Sequence, residues 1–280
     1  MPLPLFVSET IHHEAIDWAR RVSANGGTIS TTTLRAVSDF CAAADAGAFR
    51  SALYRLNLFC GGNVSGALVP LYRGPTFGGT TYGSTTDTNV NFVSADFVEA
   101  GATRGLKGNG TNKYLNTGYA ANTLAASSTH MGLGIVTANT LTSARTGIGA
   151  YNGSTLSLEI AMRNGFASAP CCYFSRFATS TDRFGDDVGT GAATLAAGNI
   201  VASWPTMYRN GSASGATATT SQNYSSAHSL FVFANNNSGS SVLGYTDARF
   251  GWYSIGSTMT VAQVSAFSKA VAAFNTALGM

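Results

Sequence analysis

Apolar positions recur every three to four residues near the start of the chain, and in short alternating runs after residue 90. Between Thr10 and Ala24, the residues Ile11, Ala15, Trp18 and Val22 mark one face of a helix. Ser8 with Glu9 opens that run, and Asn25-Gly26-Gly27 stops it. A second helix is predicted over Thr31 to Ala46, with Leu34, Val37, Phe40 and Cys41 in its stripe and Gly47 as its end. Leu53, Leu56 and Phe59 fit a short third helix or turn, so residues 1–60 read as a helical hairpin. Residues 61–90 lose any helical period and are broken by Gly74-Pro75 and Phe77-Gly78-Gly79, which reads as an extended arm or linker. From residue 91 to 280, short runs such as Met131 to Val136, Thr146 to Ala150, Leu156 to Met162, Ser229 to Ala234 and Ala248 to Ile255 predict strands. The dipeptides Asn109-Gly110, Asn152-Gly153, Asn164-Gly165 and Asn210-Gly211 predict hairpins, because a tight hairpin needs positive φ at both turn residues. The expectation is a mainly β fold, an antiparallel β-sandwich or jelly roll. A C-terminal helix closes it, with Val261, Val264, Phe267, Val271, Phe274 and Leu278 on one face and Thr260 as N-cap.

Composition narrows the function classes. Charged residues make up 10% of the 280, where roughly 25% is average, and glycine is abundant at 32. The net charge is +3, and the densest basic spot is Arg20-Arg21, so nucleic acid has no electrostatic footprint. No segment approaches 18 consecutive apolar residues, so no membrane span is expected. The opening Met1-Pro2-Leu3-Pro4-Leu5-Phe6-Val7 lacks a basic region and a long apolar core, and is not read as a secretion signal. An extracellular type of composition without an export signal favours a particle assembled in a host cytoplasm. The alternative is an extracellular or cell-surface location.

Three stretches carry a family resemblance. Gly105-Leu106-Lys107-Gly108-Asn109-Gly110-Thr111-Asn112-Lys113-Tyr114-Leu115-Asn116-Thr117-Gly118 is similar to an early hairpin of the laminin-G-like, concanavalin A-like sandwich family. Met207-Tyr208-Arg209-Asn210-Gly211 resembles its aromatic-x-Asn-Gly hairpin. Gly251-Trp252-Tyr253-Ser254-Ile255-Gly256, followed by Thr258-Met259-Thr260-Val261-Ala262-Gln263-Val264, resembles the closing strand and helix of versions in phage tail and bacterial surface proteins. The resemblance covers about residues 90–280 and implies a fold, not an activity. The family holds sugar binders, adhesion modules, structural decorations and glycoside hydrolases.

The candidate chemistry is sparse. A glycosidase needs two facing carboxylates, and the four glutamates, Glu9, Glu14, Glu99 and Glu159, form no alternating acidic run. No catalytic residue is expected. His12, His13, Glu14 and Asp17 share a helix without an evident third metal ligand, and His130 and His228 stand alone. The cysteines are Cys41, Cys60, Cys171 and Cys172; buried thiols and a Cys41–Cys60 bridge both stay open. No cofactor is expected, with one calcium alternative at Asp87, Asn89 and Asn91 or at Asp182, Asp186 and Asp187. For a sugar, the aromatics Tyr151, Trp204, Tyr224, Tyr245 and Trp252 and the amides around Asn236 are the candidates. Trp252 and Tyr253 alternate, so only one of the two is expected to face a core. The leading expectation is a non-enzymatic phage virion protein, a tail-fibre or spike subunit or a capsid decoration. It would assemble as a homo-oligomer and contact other virion subunits through residues 1–90. The alternative is a carbohydrate-binding module for a cell-surface glycan; a glycoside hydrolase ranks third.

Overall fold

The computed structural model describes residues 10–124, 128–138, 140–141, 143, 145–166, 169–179, 193–201, 204–214 and 224–280. Within these, the side chains of 163–166, 169–179, 196–201 and 204–205 lie outside the description. Helices α1 (His13–Ala24) and α2 (Thr31–Ala46) come first, then strand β1 (Leu53–Asn57) and the single turn α3 (Val64–Ala67). Strands β2 (Thr88–Val90), β3 (Phe97–Val98), β4 (Gly105–Lys107), β5 (Tyr114–Ala120), β6 (His130–Thr137) and β7 (Arg145–Tyr151) follow. Next are β8 (Leu156–Phe166), β9 (Ala169–Thr179), β10 (Ala193–Val201), β11 (Trp204–Arg209) and β12 (Ser212–Ala213). The chain ends with β13 (Ser229–Val232), β14 (Asn235–Asn237), β15 (Ser241–Leu243), β16 (Arg249–Gly256) and α4 (Val261–Ala277).

The strands form two sheets of a sandwich. The first runs β12-β11-β10-β6-β16-β4-β3, with β1 added on β16. The second runs β15-β14-β7-β13-β5-β2, with β8 and β9 continuing from β7. Its pairings are antiparallel except β14 with β7. The helices cover the outer side of the first sheet, so that sheet carries a core on each face. One core lies between the sheets and contains Leu106, Leu133, Ile148, Ile160, Phe250 and Tyr253. The other lies under the helices and joins Trp18, Val37 and Phe40 to Trp252, Phe267 and Phe274. Trp252 and Tyr253 are therefore both buried, one in each core, because the first sheet is the middle layer. The expectation of a single inward-facing residue assumed one covered face.

Three local expectations change. Residues 53–57 are a strand paired with β16, not a helix. The arm over 61–90 is irregular, yet Val69, Leu71 and Tyr72 are buried in the helical core, so it is packed rather than free. Of the four Asn-Gly dipeptides, only Asn210-Gly211 has both residues at positive φ, 51° and 84°, between β11 and β12. Asn152-Gly153 lies in a wider turn in which Asn152 Oδ1 accepts from the amides of Ser154, Thr155 and Leu156. Asn109-Gly110 lies in the crossing from β4 in the first sheet to β5 in the second. Asn164 pairs with Cys171 inside the β8–β9 ladder. Cys41 and Cys60 are free and buried, without a bridge.

The ends of α4 and α2 follow their sequence. Thr260 Oγ1 accepts from the Gln263 amide while Gln263 Oε1 accepts from the Thr260 amide, a reciprocal cap on α4. Ser30 Oγ accepts from the Thr33 amide at the start of α2. Among the described residues, no helix is long and apolar enough to cross a membrane.

Candidate functional site

The second sheet turns its outer side away from the helices. Along β5, Leu115, Thr117 and Tyr119 are buried, so the alternating residues Tyr114 and Asn116 point outward, half-buried. Phe231 of β13 stands opposite Asn116 and opposite Gly149 of β7, and Gly149 in turn stands opposite Glu159 of β8. The ring of Tyr114 stacks on Phe231 with centroids 4.7 Å apart, and Tyr245 tilts against Tyr114 at 6.2 Å. These three rings form an aromatic shelf. Burial, and then Tyr114, raise the Tyr245 phenol above its ordinary pKa.

Beside the shelf lies a polar cluster. Glu159 is 4% exposed. Its Oε2 accepts from Thr146 Oγ1 at 2.8 Å and from Asn235 Nδ2 at 3.0 Å, and its Oε1 accepts from Ser157 Oγ at 3.0 Å. A side chain at Gly149 would sit 2.6 Å from Glu159 Cβ, so the glycine gives the glutamate room to lie across the sheet. Donating to Glu159 leaves Asn235 with its Oδ1 buried and without a partner among the described residues, and the Oδ1 of Asn237 is in the same state. A buried amide carbonyl left unpaired costs about 1–3 kcal/mol.

Of the residues expected to meet a sugar, Tyr245 lies on this shelf, and Tyr151 stands opposite Asn237 at its edge, with its hydroxyl donating to the Ser154 carbonyl at 2.6 Å. Asn236 is turned to structure: its Nδ2 donates to the Ser229 carbonyl and its Oδ1 accepts from the Gly239 amide. Tyr224 is buried, its hydroxyl paired with His228 Nδ1 at 3.1 Å. The side chain of Trp204 lies outside the described residues. Sequence reasoning missed Tyr114, Asn116 and Phe231, and read Glu159 as an isolated acid; Asn235 was among its candidate amides. The alternation Tyr114-Leu115-Asn116-Thr117 was the available signal, but the pairing of β5 with β13 was not.

The calcium expectation at Asp87 and Asn89 is corrected by their surroundings. Asp87 is a buried hub: its Oδ1 accepts from Arg55 Nη2 at 2.6 Å and from the Tyr253 hydroxyl at 2.7 Å, and its Oδ2 accepts from Asn57 Nδ2 at 2.8 Å. Asn89 bonds the backbone of Phe92 through both side-chain atoms, and Asn91 donates to the Asn112 carbonyl. Asp182, Asp186 and Asp187 lie outside the described residues. A different trio, His12, Glu14 and Cys41, brings ligand atoms within 4.8 Å of one another. Its members are engaged: Arg50 Nε holds both Glu14 oxygens, His12 Nδ1 accepts from the Glu14 amide, and burial pushes the Cys41 thiol to about 12. Other described carboxylates are paired elsewhere, Asp17 with Arg21 and Asp96 with Lys113.

No family model matches the chain, and no curated protein does. Solved structures do. The NanB sialidase from Streptococcus pneumoniae is 16% identical with a TM-score of 0.38, over 56% of this chain and 26% of that one. The carbohydrate-binding module CBM40 of the Ruminococcus gnavus IT-sialidase, bound to α2,3-sialyllactose, is 12% identical with a TM-score of 0.38, over 54% of this chain and 88% of that one. A Trypanosoma rangeli sialidase mutant is 10% identical with a TM-score of 0.46, over 88% of this chain and 40% of that one. The chain thus spans about a quarter of the NanB structure, and its likeness to lectin-like sandwich domains of sialidases and carbohydrate-binding modules is distant.

Proposed function

We propose that the chain is a non-enzymatic lectin-like module that holds a glycan on the outer side of its second sheet. One observation carries this reading: the Tyr114–Phe231–Tyr245 shelf lies beside a fixed amide and carboxylate cluster with an unpaired Asn235 carbonyl. Sugar rings offer apolar C–H faces to aromatic rings and hydroxyls to such fixed polar groups. Glu159 serves as a hydrogen-bond acceptor, not as one of a catalytic pair.

The setting we propose is a virion, with the module displayed outward as part of a homo-oligomer. A specific arrangement favours it: the helical layer and the aromatic shelf lie on opposite sides of the sandwich. On the helical side, Phe77 is 54% exposed and Ile16 38%, apolar surface suited to contact with other subunits.

Glycan-array screening followed by calorimetry tests the reading. The expected result is binding to at least one polysaccharide, with Tyr114→Ala weakening it by roughly tenfold or more, about 1.4 kcal/mol, while circular dichroism reports the fold intact. Absence of binding to every glycan would leave a purely structural role.

A further inference from the structure

The helical side of the molecule carries an open cavity of about 280 Å³, between α1 and the irregular segment 71–81. Arg21, Arg50 and Arg73 line it against Glu14 and Asp17, a surplus of one positive charge. Two of the arginines build its frame. Arg50 donates from Nε to both Glu14 oxygens and from Nη1 to the Gly74 carbonyl at 2.9 Å. Arg21 donates to Asp17 Oδ2 at 2.8 Å and to the Pro70 and Leu71 carbonyls at 2.7 and 2.9 Å. The Tyr82 amide donates to the Arg73 carbonyl at 2.6 Å and closes the base of the segment. The cavity is therefore shaped before any ligand arrives.

Arg73 is the surplus cation. It is half-buried, and among the described residues no carboxylate or carbonyl accepts from its side chain. Burial lowers the pKa of Arg21, its bond to Asp17 raises it, and the charge of Arg73 lowers it again, so the two cations are close enough to repel. An oxyanion beside them offsets that repulsion, and a planar guanidinium takes a carboxylate or a phosphate through two parallel bonds. Other groups ask for more than an ion. Asp17 is 40% exposed and gives Arg21 only Oδ2, which leaves Oδ1 to accept a hydroxyl. Phe77, 54% exposed, is an apolar wall of the same cavity. The volume sits near the lower end of the roughly 300–1,000 Å³ usual for small-molecule sites and suits one substituted ring.

We propose that this cavity binds an acidic monosaccharide, whose carboxylate or phosphate pairs with Arg73, whose hydroxyl donates to Asp17 and whose apolar face meets Phe77. The site is independent of the aromatic shelf, which lies on the opposite side of the sandwich. Calorimetric titration of the full chain with glucuronic acid, glucose 6-phosphate, methyl glucopyranoside and inorganic phosphate tests it. At least one of the two acidic sugars is expected to bind, and the stronger of them assigns the anion as carboxylate or phosphate. The neutral glucoside and bare phosphate are expected to bind about tenfold or more weakly, through loss of the charge-assisted bond or of the ring contacts. Arg73→Gln breaks no side-chain bond within the described residues and weakens the acidic sugar by the same factor. Thr80→Glu puts a carboxylate on the exposed rim of the cavity and abolishes binding. Tyr114→Ala, on the shelf, leaves it unchanged. The proposal is overturned if neither acidic sugar binds, if the glucoside or phosphate binds as tightly, or if Tyr114→Ala rather than Arg73→Gln removes the binding.

Discussion

His130 shows how much one buried polar side chain can impose. It is 0% exposed, its Nε2 pairs with Ser254 Oγ at 2.8 Å, and burial alone pushes its pKa down to about 3. In the unfolded chain the same imidazole titrates near 6.5. Between these values the unfolded state binds a proton that the native state refuses, so stability falls as the pH drops from about 6.5 toward 3, by about 1.4 kcal/mol per pH unit at the steepest. His130→Gln keeps a polar atom near Ser254 and removes that titration. Its stability, measured by denaturant midpoint between pH 4 and 7, is expected to vary less steeply than that of the native chain; parallel curves would show that His130 titrates alike in the folded and unfolded states. The histidine was visible in the sequence, but its isolation there said nothing of burial. Asp87 gave a sharper misreading. Asp87, Asn89 and Asn91 alternate as cation ligands would, but the aspartate's partner is Arg55, 32 positions away. Local spacing identifies residue types suited to a cation and cannot register a competing guanidinium. Removing one member of such a buried pair strands the other, which is why it costs about 3–5 kcal/mol in comparable cases.

At the scale of elements, legibility followed how many faces each one buries. Helix α2 runs over Thr31–Ala46, the span its stripe predicted, because one face meets the core and the other meets water. The same holds for most of α4, where Val264, Phe267, Val271 and Phe274 are buried, while Val261, expected in that stripe, is exposed in the first turn. Strand β1 failed because both of its faces are largely covered, so no alternation survives, and Leu53, Leu56 and Phe59 happened to fall at helical spacing. The aromatic shelf was half legible for a related reason. Tyr114 and Asn116 alternate along β5, yet Phe231 and Asn235 arrive from strands more than 100 residues later, and only pairing brings them together. The cap on α4 is a feature the sequence does announce, as Thr260 with Gln263 three residues on. Thr260→Ala removes one half of the cap, since the Gln263 amide loses its Oγ1 acceptor, while the bond from the residue 260 amide to Gln263 Oε1 is kept. The expected loss is about 1 kcal/mol in chemical denaturation, with the fold intact by circular dichroism; a change within error would mean that the end of α4 is held by packing alone.

For the molecule as a whole, the first sheet is a middle layer, and that makes the helices part of the sandwich. Phe40 of α2 meets Phe267 and Phe274 of α4 at 6.3 and 6.4 Å, and Trp252 of β16 meets Phe267 at 5.1 Å. Strand β1 supplies β16 with an edge partner, and Arg55 within it joins Asp87 and Tyr253. Arg104, also buried, reaches the Leu58 carbonyl and Asn275 and lies over the Phe274 ring. Residues 91–280 expressed alone would lose Phe40, Trp18, Leu53 and Leu56 from the helical core, each worth about 1.5–3 kcal/mol of burial. They would also expose the edge of β16. The sum rivals the 5–15 kcal/mol that holds a typical domain together. That fragment is therefore expected to lack a cooperative thermal transition and to bind an apolar dye, while the full chain unfolds in one step. A fragment that melts sharply near the full chain's midpoint would instead make the helices an appendage, and the sequence's division at residue 90 a true boundary.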